Sequence, residues 1–236
     1  MRIKQKYLIS GILAVCFVVA TLFGVHVKKS YIDNVDFDTY LDNSDLKVSY
    51  CPYPYDEQYE VLTPLEQVNN LDTLQEISPV IIQARLDSDT ERTCYHECVL
   101  SKIKVEKVFC GDLEVGECIN IFEPSNCFFS DVMLCTDGYL PMQQKTSYIL
   151  FLKDYSSRKF NGEKVVYIPT TSVLSKYPVN ISNINLFSEE ELSDETKFPT
   201  YNEIKTYDAL IWNQSVFKTY QQIREEILTE YNDIDK

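Results

Sequence analysis

Histidine, the side chain that most often transfers protons in enzymes, is nearly absent: the chain contains two, His26 and His96. His26 lies in the longest apolar run, so a Ser-His-Asp or Cys-His mechanism would have to use His96. Glycine is also scarce, with six residues, and no Gly-x-Ser-x-Gly, His-Glu-x-x-His or phosphate-loop motif occurs. The sequence therefore predicts no catalytic residue and no cofactor.

Basic residues are in the minority, with 22 Lys and Arg against 36 Asp and Glu, for a net charge of −14. Nucleic-acid binding relies on Lys and Arg that displace the counterions of the phosphates. The composition therefore argues against a nucleic-acid partner.

The one long stretch without charged side chains lies near the N-terminus, at residues 7–27. It holds 21 residues without Asp, Glu, Lys or Arg, and Arg2, Lys4 and Lys6 precede it. A helix of that length is about 32 Å long, enough to cross a hydrocarbon core of about 30 Å. Because basic flanks stay in the cytoplasm, the sequence predicts a signal anchor over residues 1–29, with the C-terminal part outside the cytoplasm at the cell membrane.

Two alternatives to an uncleaved anchor are a cleaved signal peptide and a lipoprotein. The first needs a small-x-small cleavage site, and residues 23–27 contain no Ala-x-Ala. The second would use Cys16, but Val15 stands where a small residue is required.

The exported part is long enough for one domain with its own core. Residues 30–58 are acidic and then rich in Tyr and Pro, which predicts a solvated linker before a domain at residues 59–236. Asp33, Asp36 and Asp38 in this segment lack the glycine and the distal Glu of an EF-hand loop.

Alternating apolar residues predict five strands in the domain. They cover residues 80–86, 93–109, 119–123, 148–154 and 165–168. Short helices are expected between Pro64 and Ile77. Near the C-terminus, apolar residues recur at three- and four-residue spacing from Phe217 to Tyr231, which predicts an amphipathic helix docked on the strands. The expected class is mainly β with flanking helices (α+β).

Several strand-and-turn patterns together resemble a known family. A β-branched strand, residues 80–86, follows a short helix; a long strand ends in Val-x-x-Val-Phe-x-Gly-Asp at 105–112; Gly-x-x-Ile-x-Ile follows at 116–121, and Tyr-Ile-Leu-Phe-Leu at 148–152. These resemble the small extracytoplasmic barrels of Gram-positive anchored proteins and lipoproteins, most of unknown function, which are similar to the netrin and tissue-inhibitor-of-metalloproteinase group. The resemblance implies a five-stranded OB-like barrel. That inhibitor group presents a mature N-terminal Cys, for which an uncleaved anchor offers no equivalent.

Cysteines are concentrated in one region of the domain. Six of the eight in the chain lie within residues 94–135, a density that predicts disulfides in an exported protein. The candidates are Cys94, Cys98, Cys110, Cys118, Cys127 and Cys135. Cys110 and Cys118 flank a tight connection that a bridge would close, and Cys127 and Cys135 flank a hydrophobic loop. Alternatively, Cys94 and Cys98 pair with Cys127 and Cys135.

The segment Cys94-Tyr95-His96-Glu97-Cys98 carries two thiols and an imidazole, the ligand types of zinc. Within one strand, the two cysteines would lie about 13 Å apart, too far for a shared metal or for a mutual disulfide. We therefore expect no metal at Cys94, His96 and Cys98, although a helix would permit one.

The apolar side chains between Cys127 and Cys135 have two interpretations. Phe128, Phe129, Met133 and Leu134 form an interaction patch if they are exposed, or close one end of the barrel if they are buried.

These features favour a non-enzymatic binding or interaction module, tethered to the membrane by residues 7–27, with a protein partner at the cell surface. The main alternative is an extracytoplasmic enzyme, or a redox or metal-binding thiol protein, that uses His96 and nearby cysteines. A third is a protease-inhibitor-like module, on fold analogy alone.

Overall fold

In the computed structural model, the described residues are 16–21, 24, 36–53, 61–87, 92–95, 98–126, 132–155, 165–180 and 182–232. The chain divides into two compact units, Met1–Asp33 and Asn34–Lys236. Most of the predicted membrane segment, residues 7–27, lies outside the described residues. Within the part of the chain that is described, no helix combines the length and apolar character needed to cross a membrane.

The second unit contains ten strands and five α-helices among its described residues. The strands are β1 (Lys47–Cys51), β2 (Val80–Leu86), β3 (Thr93–Tyr95), β4 (Cys98–Cys110), β5 (Cys118–Glu123), β6 (Ser125–Asn126), β7 (Val132–Thr136), β8 (Ser147–Asp154), β9 (Val166–Pro169) and β10 (Lys176–Pro178). The helices are α1 (Phe37–Leu41), α2 (Leu71–Glu76), α3 (Glu189–Ser193), α4 (Tyr201–Ile204) and α5 (Gln214–Asn232). Short 3₁₀ turns cover Leu65–Gln67 and Val173–Ser175.

Five strands close into a barrel, which confirms the barrel and the mixed α+β class. Their order is β8-β2-β4-β5-β9, and β9 pairs back onto β8. The β5–β9 pair is parallel and the other four pairs are antiparallel. Alternate residues point inward, as the period of two requires. The interior is filled by the cluster Val80, Ile82, Ala84, Leu86, Ile103, Val105, Ile119, Ile121, Met142, Tyr148, Leu150 and Leu152.

The C-terminal helix α5 docks on the outer face of the barrel, as its spacing predicted. Tyr220, Ile223, Ile227 and Tyr231 are buried, and they pack with α2 and the outward side chains of β2 and β8. The Tyr220 ring lies 4.7 Å from that of Tyr177, measured between centroids. Burying this apolar stripe is the main reason that the helix is stable.

Much of the segment expected to be a linker, residues 30–58, belongs to the folded unit. Phe37, Leu46 and Val48 are fully buried, and β1 pairs in parallel with β7 in a second, three-stranded sheet. The physical reason is that these apolar side chains cover one face of β7, together with α3 and α4. The acidic residues between them stay on the surface, which gave the segment its linker-like composition.

The strand predicted over residues 93–109 is instead a hairpin. β3 pairs antiparallel with the start of β4, with Cys94 opposite Val99 and Tyr95 opposite Cys98. The chain therefore reverses direction between Tyr95 and Cys98, and the 13 Å separation expected for Cys94 and Cys98 is wrong.

Candidate functional site

A cleft of about 510 Å³ opens beside the second sheet. One wall is α1 with the residue that follows it, and this wall contributes Asp38 and Asp42. Tyr201, Asn202 and Lys205 come from α4 and its C-terminal end, and Gln143 and Gln144 come from the loop that precedes β8. The buried cluster that includes Phe37, Tyr201 and Ile204 holds α1 and α4 in place under the cleft.

Arg92 is the buried basic residue of the cleft, with 2% of its surface exposed. Its Nε and Nη2 donate to the Asp38 carboxylate, and Nη1 donates to the Met142 carbonyl over 2.9 Å. The guanidinium also lies 4.8 Å from the centroid of the Phe37 ring. Burial alone would lower the pKa of Arg92, but the hydrogen bond to Asp38 and the charge of Glu123 outweigh it, so the pKa is raised and the group stays cationic.

Glu123, at the end of β5, is the buried acid behind Arg92, with no surface exposed. Its Oε1 lies 3.8 Å from Arg92 Nη1 and accepts from the Ser101 hydroxyl. Its Oε2 accepts from the Met142 amide over 2.7 Å and from the Tyr139 hydroxyl over 3.3 Å. Three hydrogen-bond donors and one cation therefore surround the Glu123 carboxylate, which is the condition under which a buried carboxylate is tolerated. The network fixes the loop that carries Gln143.

The outer part of the cleft presents side chains that reach solvent. Asp42, Gln144, Asn202 and Lys205 are exposed, and Lys205 Nζ donates to Asn202 Oδ1 over 2.9 Å. Tyr201 is buried, and its hydroxyl accepts from Gln143 Nε2 over 2.9 Å. Burial raises the pKa of Tyr201, so the phenol is neutral at ordinary pH.

The side chains that line the cleft determine its chemistry. They supply carboxylates, amides, a phenol and an ammonium group, and the described residues of the lining include no thiol or imidazole. The Arg92 guanidinium and the Asp38 carboxylate are occupied by internal bonds, which leaves Asp42, at the end of α1, and Lys205, at the end of α4, as the other charged side chains of the described lining. Such a set can orient a polar ligand by hydrogen bonds, but it lacks an activated nucleophile.

The alternative of a metal site at Cys94, His96 and Cys98 gains no support from the described residues. Cys94 packs with Val99 in the cluster under the cleft, whereas Cys98 packs on the other face of the hairpin with Leu100 and Phe122. His96 lies outside the described residues. Across the part of the chain that is described, no group of three His, Cys, Asp or Glu side chains is placed to hold a metal ion.

The expected disulfides are absent among the seven cysteines that the structure describes. Cys118 is opposite Lys104 on β4, six positions before Cys110 on the same strand. Six residues of strand span roughly 20 Å, which is too far for a disulfide between Cys110 and Cys118. The prediction of that bridge is therefore wrong. Cys135 is fully buried in the cluster under the cleft, and Cys127 lies outside the described residues.

The hydrophobic patch is only partly described. Met133 is fully buried, because it faces Val48 across the β1–β7 pair, inside the same cluster. Of the two interpretations, exposure is therefore wrong for Met133, which lies in the cluster beside the second sheet. Leu134 is half-buried, and Phe128 and Phe129 lie outside the described residues.

Sequence reasoning missed the cleft residues altogether. Arg92 and Asp38 are 54 positions apart, and Glu123 comes from another strand, so no local spacing connects them. The one signal in the sequence was Glu123, an acidic residue at the end of the apolar strand predicted over residues 119–123.

In comparisons with known proteins, no family model matches the chain, and no curated protein matches it.

Proposed function

We propose that this chain is a binding module tethered to the outer face of the cell membrane, with the cleft as its ligand site. The observation that carries the proposal is that the cleft of about 510 Å³ is lined by two exposed side chains of opposite charge from different elements, Asp42 at the end of α1 and Lys205 at the end of α4. A ligand that has both an ammonium and a carboxylate group, such as an amino acid or a short peptide, complements both side chains.

The rigid floor of the cleft also supports a binding role. Arg92 and Glu123 hold the Met142 backbone from both its carbonyl and its amide. A site whose supporting bonds are already made loses little entropy when a ligand arrives. Binding rather than catalysis is favoured because, among the lining residues that the structure describes, no nucleophile is paired with a base.

The cellular location is part of the proposal and has its support in the sequence. Residues 7–27 form an uncharged segment behind a basic N-terminus, as a signal anchor requires. We also propose that the barrel is OB-like. This is supported by the closed set of five strands and by the parallel β5–β9 pair.

The two other candidate functions have less support. A thiol mechanism would need Cys94 and Cys98 on the same face, and they pack in different clusters. Protease inhibition continues to depend on fold analogy alone.

The ligand site is tested by calorimetric titration of the purified full-length chain with the common amino acids and a set of dipeptides. We expect at least one of them to bind, with affinity at least about tenfold lower in Asp42→Asn and in Lys205→Gln, because a charge-assisted hydrogen bond contributes about 1.5–3 kcal/mol. The matched control is Lys218→Gln, an exposed lysine on α5 outside the cleft. The assignment is contradicted if none of these compounds binds, or if Asp42→Asn and Lys205→Gln bind the ligand as tightly as the wild-type chain does.

The location is tested separately with Cys118, which is exposed. A membrane-impermeant maleimide should modify Cys118 on intact cells. Because Cys110 is exposed as well, the label is assigned by peptide mapping, and Cys118→Ser should remove it from the peptide that carries residue 118. Labelling that appears only after lysis contradicts the extracytoplasmic placement.

A further inference from the structure

Gln143 and Tyr201 both line the cleft and are joined by a hydrogen bond, and each has bonding capacity left. Gln143 Nε2 donates to the Tyr201 hydroxyl over 2.9 Å and to the Pro141 carbonyl over 3.3 Å, so both of its protons are used. Gln143 Oε1 accepts no hydrogen bond from the residues that the structure describes. The cleft therefore contains one unused acceptor on Gln143.

The Tyr201 hydroxyl supplies an unused donor. Tyr201 has 5% of its surface exposed, and its ring belongs to the buried cluster under the cleft. The hydroxyl accepts from Gln143, but within the described part of the chain no acceptor takes its proton. Because burial raises the pKa of Tyr201, the phenol keeps that proton at ordinary pH. An unsatisfied donor at a buried position costs free energy, so the cleft favours a ligand that accepts from it.

A series of contacts places this pair between the two helices of the cleft. The carbonyl of the residue before Gln143 accepts from Arg92, which holds α1. Tyr201, the partner of Gln143, is the first residue of α4. In the order of contacts, the unused donor and acceptor therefore stand between α1, which is followed by Asp42, and α4, which is followed by Lys205.

We propose that the cleft binds the backbone of an extended peptide of at least three residues. The N–H of the central residue donates to Gln143 Oε1, and its C=O accepts from the Tyr201 hydroxyl. In an extended chain, the N–H and C=O of one residue point to the same side, as they do in antiparallel sheet pairing. A dipeptide has only one peptide group, whose N–H and C=O point in opposite directions because the bond is trans. A free amino acid has no amide at all.

This assignment of a peptide rests on the proposed function, in which Asp42 and Lys205 bind the two charged termini. The central hydrogen bonds add a preference for length, because a shorter ligand leaves the Tyr201 donor and the Gln143 acceptor without partners. The volume of about 510 Å³ lies within the range of about 300–1,000 Å³ that is usual for sites of small ligands.

The test is calorimetric titration of the purified full-length chain with alanine, dialanine and trialanine, all with free termini. We expect trialanine to bind at least about tenfold more tightly than dialanine, because it alone makes both central hydrogen bonds. The matched control ligand is a trialanine analogue with an ester in place of the first peptide bond. The ester removes the central N–H and keeps both charged termini, so this analogue should bind about fivefold more weakly than trialanine.

The outcomes separate this assignment from the proposed function. If trialanine binds no more tightly than dialanine or than its ester analogue, the assignment of an extended peptide is overturned. If dialanine binding then still depends on Asp42 and Lys205, the proposed function stands without it. Absence of binding by all of these compounds overturns both.

A pair of variants checks the donor. Tyr201→Phe removes the hydroxyl and keeps the ring, so the advantage of trialanine over dialanine should fall about fivefold. The matched control is Tyr207→Phe, at a half-buried tyrosine of the same cluster that is not among the described residues of the cleft lining, and it should retain the advantage. An undiminished advantage in Tyr201→Phe overturns the proposal. The ester comparison uses the wild-type chain, so it decides the proposal even if Tyr201→Phe fails to fold.

Discussion

Arg92 holds Asp38 through two guanidinium nitrogens, and this ion pair attaches α1 to the segment that leads into β3. On its other side, Arg92 faces Glu123, which is fully buried. One basic side chain therefore compensates an acid at the surface of the cleft and another in the interior.

Replacing Arg92 should be severely destabilising. Arg92→Ala leaves Glu123 buried without its cation, a change that typically costs about 3–5 kcal/mol. The control is Arg85→Ala, whose pair with Glu106 is exposed and should contribute less than about 1 kcal/mol. Urea unfolding of both variants gives the comparison, and equal losses would show that the buried pair is not special.

Gly138 should not tolerate a side chain. Its φ is +82°, and a Cβ atom would lie 1.9 Å from the carbonyl oxygen of Leu210, whose amide donates to Gly138. Gly138→Ala should therefore lower the free energy of unfolding by more than about 3 kcal/mol.

Gly116→Ala is the matched control, because its φ is +88° but no atom lies within 4 Å of the added Cβ. The strain of the left-handed conformation alone should cost about 1 kcal/mol there. Similar losses in the two variants, measured by denaturant unfolding, would contradict the close contact between Gly138 and Leu210.

The docking of α5 should depend on its buried stripe. Ile223 is fully buried, so Ile223→Ala should destabilise the fold by about 2–5 kcal/mol through lost burial and a cavity. Lys218→Ala, at an exposed position of the same helix, should change stability by less than about 0.5 kcal/mol. Thermal unfolding of both variants decides whether the helix is part of the cooperative unit.

Cysteine reactivity should follow burial. Cys135 is fully buried, and desolvation raises the pKa of its thiol to about 12. Since the thiolate is the reactive form, Cys135 should resist alkylation in the native protein up to pH 9 and react once denaturant is added. Cys110 and Cys118 are exposed and should react in the native state. Site-resolved mass spectrometry measures all three; rapid native labelling of Cys135 would contradict its burial.

Local periodicity was enough to predict the strands of the barrel and α5, because a period of two or 3.6 residues reports which face of an element is buried. That the strands form a barrel was expected from the family resemblance. β2 was predicted with its observed bounds, Val80–Leu86. The hairpin at Cys94 and Cys98 was missed because apolar residues occur on both sides of the reversal, so the pattern looked continuous. The fold of Phe37–Cys51 was missed because its few buried residues are separated by surface acids.

The sequence was sufficient for the five strands of the barrel and for the amphipathic helix, since these depend on local pattern. The cleft and the buried groups around Arg92 emerged only in three dimensions. A buried charge is tolerated only where partners converge on it, and here the partners come from distant segments: Asp38 and Glu123 for Arg92. No pattern of neighbouring residues encodes that convergence, because barrel closure and strand register bring the groups together.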